Sequence, residues 1–334
     1  MDPFEHYNAD SVAGAVALLT GDAVGPQAAR PISGGTDLLT TMKAGLRAPV
    51  RLVNLKTVRG LDSIVDYAGT LRIGALVTLD TLEHTGLVAE RYRALAEAAG
   101  LAASPQLRNM GTLGGNLAQE SRCAYYRNAD FPCWLKGGTV CFAREGDNSH
   151  HAIFTDDSPC VTVHPSDPAT ALLALDATLT IQGPHGERRV PLAAFFTLPH
   201  ADQRQLTILG PADVITGIEL PPTPAARSAS RYLKAMDRAT WSFALAGVAV
   251  AVTWTAPGSG VVESVRIALG GVAPIPRRAP AAEDYLAGQT LTVATATEAG
   301  RLAVQGAAPL SHNAYKVRLL TGLVARALLA TTTT

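Results

Sequence analysis

The chain has 334 residues, 47% of them hydrophobic and 17% charged, enough to bury a substantial core and long enough for two or three domains. Lys+Arg and Asp+Glu both number 28, so the formal net charge is zero and no basic footprint for nucleic acid or an anionic membrane is present. Small molecules and protein partners are the favoured classes, since the longest apolar run, residues 243–252, has about half the length a bilayer crossing requires.

The start, MDPFEHYNADSVAGAV, has no basic region followed by an apolar run, so no secretory signal of its own is expected. The opening predicts a β-α-β unit. FEHY reads as a strand, residues 8–21 as a helix with Asn8 to Ser11 as candidate caps and Gly21 as its stop, and ARPISGG as the next strand. Gly34 and Gly35 then precede a Thr-Asp helix start whose apolar residues include Leu38, Leu39 and Met42, and residues 51–55 return as a strand. Two adjacent glycines ahead of a helix expose backbone N–H groups with no Cβ in the way, as a pyrophosphate cradle requires. The spacing is not the G-x-G-x-x-G dinucleotide fingerprint, and alone it reads equally well as a plain turn.

A second glycine loop follows the Ala-rich helical stretch at residues 91–104. SPQLRNMGTLGGNLAQES places Gly111, Gly114, Gly115 and Asn116 together, with the Thr112 hydroxyl beside them. Two separated loops of this kind suit a long dinucleotide whose diphosphate lies between two subdomains.

All four cysteines come next, as Cys123, Cys133, Cys141 and Cys160, spaced Cys-x9-Cys-x7-Cys-x18-Cys. Their confinement to one stretch of a chain with ample core speaks against a disulfide framework. No close C-x-x-C knuckle marks a zinc site, and a folded loop can bring four thiolates to an iron–sulfur cluster. Spacing alone leaves the three open. A loop containing Gly137, Gly138 and Gly146 is costly to order without cross-links, which a metal centre supplies. Tyr125, Tyr126 and Trp134 are candidates to cover such a centre or the domain core; His150, His151 and His164 read as surface or hydrogen-bonding residues. Further on, residues 221–230 form a Pro/Ser-rich connector. From about Arg231 a third section shows strands in residues 243–254 and 261–272, helices in 294–307 and 313–329, and a terminal TTTT expected to fray.

PISGGTDLL followed by LRNMGTLGGNL resembles the FAD-binding subunit of the molybdenum hydroxylases, the xanthine dehydrogenase and aldehyde oxidoreductase superfamily. The likeness runs on through HPSDPATALLALDATLTI, DVITGIELP, YLKAMDRATWSFALAGVAVAV, IALGGVAPIPRRA and HNAYKVRLLTGLVARAL, over essentially the whole chain. It implies an α+β protein. Residues 1–222 would form a two-part FAD-binding domain of the vanillyl-alcohol-oxidase/PCMH type, with subdomains of about 1–55 and 56–222 and an iron–sulfur insert at 117–163. Residues 223–334 would form an α+β domain like the C-terminal domain of the CO dehydrogenase flavoprotein.

The resemblance further implies an electron-transfer component with no catalytic residue of its own for substrate oxidation. Its partners would be a large subunit with the molybdenum cofactor, a small subunit with two [2Fe–2S] clusters, and an external electron acceptor. Carried over residue by residue, the first FAD loop is Arg30, Pro31, Ile32, Ser33, Gly34, Gly35, Thr36, Asp37 and Leu38, and the second is Thr112, Gly114, Gly115 and Asn116. Asp167 corresponds to an acceptor for ribose or ribityl hydroxyls, and equally to a helix cap; Ile215 corresponds to an apolar contact and Lys234 to a cation near the isoalloxazine.

The long segment between GGN and SD resembles that of periplasmic-type aldehyde oxidoreductases and 4-hydroxybenzoyl-CoA reductase, which carry an extra [4Fe–4S] cluster. The first of these is the nearer likeness. On this resemblance Cys123, Cys133, Cys141 and Cys160 are the cluster ligands, an aldehyde is the expected substrate of the complex, and the cytoplasm or periplasm is the expected location. The competing expectations are the flavin subunit of a xanthine or N-heterocycle dehydrogenase, a thioester reductase subunit, a stand-alone flavin oxidoreductase, and a cofactor-free scaffold.

Overall fold

In the computed structural model, which describes residues 1–21, 27–200, 203–238 and 240–332, the chain builds three sheets. The first unit contains β1 (Glu5–Asn8), α1 (Val12–Leu19), β2 (Arg30–Ile32), α2 (Leu38–Lys43) and β3 (Arg51–Asn54), its parallel strands ordered β1-β3-β2. The predicted β-α-β unit is present. Of its candidate caps, Ser11 is the one used, its hydroxyl accepting from the Gly14 amide. Ala15, Val16 and Leu19 of α1 pack on Val53 and on Leu76 and Val214 of the next unit, which fixes the first unit against the second.

The second unit follows as β4 (Ile64–Tyr67), β5 (Thr70–Gly74), α3 (Leu79–His84), α4 (Gly86–Arg91), α5 (Arg93–Leu101), α6 (Pro105–Arg108), α7 (Leu113–Leu117), α8 (Ala124–Arg127), α9 (Asp167–Ala174), β6 (Thr178–Gly183), β7 (Gly186–Pro191), α10 (Leu192–Phe195) and β8 (Val214–Leu220). Its antiparallel sheet runs β4-β5-β8-β6-β7. Along β6 every second residue is buried, the pattern of a sheet packed on one face.

The third unit contains β9 (Ser228–Ala235), β10 (Ala246–Trp254), β11 (Val262–Gly270), β12 (Arg277–Arg278), α11 (Pro280–Leu286), α12 (Val293–Ala303) and α13 (Tyr315–Leu329), with antiparallel order β12-β11-β10-β9. The long apolar run falls largely in β10, a central strand covered on both faces. Val248, Val250 and Val252 face α11 to α13, whereas Ala249 joins the core that holds α5 and α9. Helix α9 is buried at every position because it is enclosed between the second and third sheets. The result is the α+β architecture the sequence implied.

Two details differ from expectation. Strand β9 begins at Ser228, inside the expected connector, because Ser230 pairs with Ala251 and its hydroxyl accepts from the Ala94 amide. The expected fraying of the terminal threonines fails at Thr331, which is buried with its hydroxyl donating to the Leu328 carbonyl at 2.6 Å; residues 333–334 lie outside the described residues. Among the described residues no helix is long and apolar enough to cross a membrane.

Candidate functional site

A cleft of about 510 Å³ opens between the first and second units, within the range of ligand-binding cavities. Strand β2 delivers the first glycine loop to it and the turn before α7 delivers the second. The loops touch: the Ser33 and Thr112 hydroxyls are 2.9 Å apart, and Thr112 also caps α7 by accepting from the Gly115 amide. A Cβ on Gly34 would lie 1.9 Å from the Met110 carbonyl oxygen, and one on Gly114 would lie 2.8 Å from the Ala75 Cβ. Glycine is what lets these backbones approach. The amides of Gly34, Gly35 and Thr36 donate to no acceptor among the described residues, leaving them available to a ligand.

Of the residues expected at a flavin, Arg30 through Leu38, Thr112, Gly114, Gly115, Asn116, Asp167 and Ile215 all line this cleft. Lys234 does not. Its side chain is fully buried behind the cleft wall, with Nζ donating to Asp167 Oδ2 at 2.8 Å and to the Leu101 carbonyl at 2.9 Å. Tyr232, two residues back on the same face of β9, donates its hydroxyl to Asp167 Oδ1. Burial raises the Asp167 carboxyl above the ordinary carboxylate range, against the pull of Lys234 and Tyr232. The cap of α9 is Ser166, whose hydroxyl accepts from the Ala169 amide; Asp167 is the first helical residue.

One end of the cleft is densely charged. Asp37 accepts from Arg127 at 2.7 Å and from the Glu120 amide at 2.8 Å and pairs with Arg122 at 3.0 Å, so its carboxylate is spent on holding the segment after α7. Arg47 donates to Glu120 at 2.7 Å and to the Tyr126 hydroxyl at 3.1 Å, while Tyr126 donates to the other Glu120 oxygen at 2.6 Å. Arg30 stands apart, with Nε buried and unpartnered among the described residues. Burial and the nearby Arg47 lower its pKa from the usual arginine value, so an anion at this end would relieve an existing electrostatic cost. Free amides, an unpartnered guanidinium and glycines in close approach together fit the diphosphate of a dinucleotide.

Beyond this charged end, Cys123, Cys133, Cys141 and Cys160 line one small pocket together with Tyr125, Tyr126, Trp134 and His151. The three aromatics suggested as a cover are therefore at the pocket wall. All four thiols are free in this structure. The Cys160 thiol donates to Cys141, which pulls Cys141 down to about 6 and raises Cys160; burial pushes Cys123 up to about 11. Buried thiols of this kind need a cation to become ligating thiolates.

A single zinc ion with bonds of about 2.3 Å would draw its sulfurs within about 4 Å of one another. Among the described residues, no three of these sulfurs all lie within 4.8 Å of one another, a wider spread than one zinc ion would hold. His151 Nε2 lies 3.2 Å from Cys123 Sγ, whereas His164 is buried against Phe196 and His150 is exposed.

Several residues bear on the site without having been singled out from sequence. Arg204 donates to the Trp134 and Gly138 carbonyls at 2.6 and 2.7 Å and lies 4.6 Å from the Trp134 ring centroid. Arg144 donates to the Ser158 and Pro159 carbonyls beside Cys160. Asn313 Nδ2 donates to the His151 and Ala152 carbonyls, and Lys316 Nζ to that of His150, so the start of α13 grips the cysteine segment. Trp241 and Phe243, an edge-to-face pair 5.0 Å apart, line the cleft from the third unit, with Arg122 over Phe243. The sequence around each is unremarkable, and only the tertiary fold brings them to the site.

Comparison with known proteins agrees with this geometry. A family described as the FAD binding domain in molybdopterin dehydrogenase matches residues 2–223, and one described as the CO dehydrogenase flavoprotein C-terminal domain matches residues 231–331. The chain is 39% identical over 261 residues to the aldehyde oxidoreductase FAD-binding subunit PaoB of Escherichia coli (strain K12), covering 77% of this chain and 79% of that one. It is 29% identical over 329 residues to the carbon monoxide dehydrogenase medium chain of Hydrogenophaga pseudoflava, covering 97% and 96%. A solved carbon monoxide dehydrogenase from Hydrogenophaga pseudoflava superposes with a TM-score of 0.77 at 29% identity, over 99% of this chain and 98% of that one. With both domains matched in order and the paired glycine loops in contact across the cleft, the chain belongs to the family of FAD-binding medium subunits of xanthine dehydrogenase/CO dehydrogenase type.

Proposed function

We propose that this chain is the FAD- and [4Fe–4S]-carrying electron-transfer subunit of a heterotrimeric molybdenum hydroxylase, passing electrons from aldehyde oxidation on a partner subunit to an external acceptor. The observation that carries the reading is a shared wall: Tyr126 and Leu135 line both the cleft and the cysteine pocket, so a thin partition separates the two. Bound FAD supplies the exchange between two-electron and one-electron chemistry. Toward it, the amides of Gly34, Gly35 and Thr36 and the Arg30 guanidinium receive the diphosphate, with Thr112, Gly114, Gly115 and Asn116 closing the other side. Asp167 and Ile215 border the rest of the nucleotide, and Lys234 acts by holding Asp167 rather than by direct contact.

Cys123, Cys133, Cys141 and Cys160 ligate the cluster, with Tyr125, Tyr126 and Trp134 excluding water from it. Residues 1–222 form the flavin domain, divided near residue 55 and carrying the insert at 117–163, and residues 223–334 form the second domain. The partners are a large subunit with the molybdenum cofactor and a small one with two [2Fe–2S] clusters, in the cytoplasm or periplasm. The aldehyde rests on the 39% identity to the PaoB subunit.

Anaerobic purification of the full chain tests this directly. Flavin, iron and acid-labile sulfide analysis is expected to return one FAD with about four iron and four sulfide per chain. Zinc or no metal overturns the cluster, and a chain without flavin overturns the reading as a whole. Assembled with its partner subunits, the complex is expected to oxidise aldehydes; activity confined to purines or N-heterocycles overturns the substrate.

A further inference from the structure

The cysteine pocket holds one ring nitrogen at hydrogen-bonding distance from a sulfur. His151 Nε2 lies 3.2 Å from Cys123 Sγ, and the residue is 7% exposed. The backbone that carries the ring is fastened from both sides. The His151 amide donates to the Asn148 carbonyl at 2.9 Å, and the His151 carbonyl accepts from Asn313 Nδ2 at 3.2 Å, Asn313 being fully buried. On either side of His151, Lys316 Nζ takes the His150 carbonyl at 3.0 Å and Asn313 takes that of Ala152 at 3.1 Å. His151 Nδ1 is buried without a partner among the described residues, so the sulfur contact is the one polar contact recorded for the ring.

A sulfur bound to iron is a thiolate, which accepts hydrogen bonds and has none to donate. With Cys123 bound to iron, the hydrogen in this contact would sit on His151 Nε2. We propose that His151 is a positioning residue that sets the reduction potential of the cysteine-bound cluster through an Nε2–H···Sγ hydrogen bond to Cys123. The proposal rests on the cluster reading given above. Such a bond draws electron density from the sulfur and stabilises the reduced, more negative state, which raises the potential. With four cysteines already supplying the ligands, the imidazole acts on a ligand and does not bind iron.

The test uses the anaerobically purified full chain in three forms: wild type, His151→Leu and His151→Gln. Iron and sulfide are measured first. A wild type without them overturns the cluster reading, which is a different failure from that of the His151 role. With cluster present, EPR-monitored redox titration is expected to give His151→Leu a more negative midpoint, and His151→Gln, whose amide nitrogen can donate from nearly the same place, a midpoint shifted back toward the wild type. Equal midpoints in all three forms overturn the role while leaving the cluster standing. Should both variants lose iron, the wild type with ¹⁵N-labelled histidine decides the matter. Electron spin echo modulation of the reduced cluster is expected to show a weak ¹⁵N coupling, whose absence overturns the proposal, as does a coupling strong enough for direct iron ligation.

Discussion

Ser33 and Thr112, 79 positions apart in the chain, share a hydroxyl contact of 2.9 Å that joins the two glycine loops into one lip of the cleft. The loops can meet this closely because Gly34 has no Cβ to strike the Met110 carbonyl. Gly34→Ala is therefore expected to weaken FAD binding at least tenfold, about 1.4 kcal/mol, read as a lower flavin-to-protein absorbance ratio and a higher dissociation constant. Gly21→Ala, where nothing among the described residues lies within 4 Å of the new methyl group, is the control and is expected to leave the flavin in place. Equal retention in the two variants would mean that the loops do not hold the nucleotide.

Lys234 and Asp167 form a fully buried ion pair, and removing one partner strands the other charge. Lys234→Met is expected to destabilise the flavin-free chain by about 3–5 kcal/mol in urea denaturation, with Asp167→Asn in the same chain recovering part of the loss. A lysine that served only a bound flavin would leave the flavin-free chain unchanged, so this measurement separates the two roles.

Arg204 crosses from the cleft wall to the cysteine loop and holds the carbonyls of Trp134 and Gly138 on either side of the turn after Cys133. On the proposed cluster reading, Arg204→Ala is expected to loosen that turn and speed the loss of iron to a chelator several-fold. Release is followed colorimetrically. Unchanged release would show that the turn holds without the clamp.

Lys316 gives a pH dependence with a definite sign. Burial outweighs the charge of Asp237 and pushes its ammonium down to about 7, from 10.5 in an exposed lysine. Between these values the unfolded chain carries a proton that the folded chain lacks, so this group makes stability rise with pH across that window and contributes least below about pH 7. The rise is at most about 1.4 kcal/mol per pH unit. Denaturation curves from pH 6 to 9.5 are expected to show this slope in the wild type and a flatter one in Lys316→Met; identical slopes would place the titration elsewhere.

The parts of the site that were readable from sequence are those where backbone geometry or ligand chemistry demands a particular residue type. Gly34 and Gly114 stand out because a side chain there would strike Met110 and Ala75, and Gly35 because its backbone is left-handed. The four cysteines stand out because the chain has no others. The apolar run at residues 243–252 identified a buried segment, which the structure places largely in strand β10. The resemblance implies a cation near the isoalloxazine at Lys234, but the sequence does not show what that cation faces; its partner Asp167 lies 67 positions earlier and is reached only through the side-chain alternation of β9. The contacts Arg47–Glu120, Arg204–Trp134 and His151–Cys123 have no local signature for the same reason, since each depends on which loops the sheets bring together.

The grip of Asn313 and Lys316 on residues 150–152 also orders events in time. A chain emerging from the ribosome presents all its sulfurs long before the helix that fastens them, and domains fold from the N-terminal side as they appear. The strap can close only when translation is nearly finished, which makes the final ordering of the cysteine segment an event of the completed polypeptide. A product truncated before residue 313 would keep all four cysteines and lack the latch.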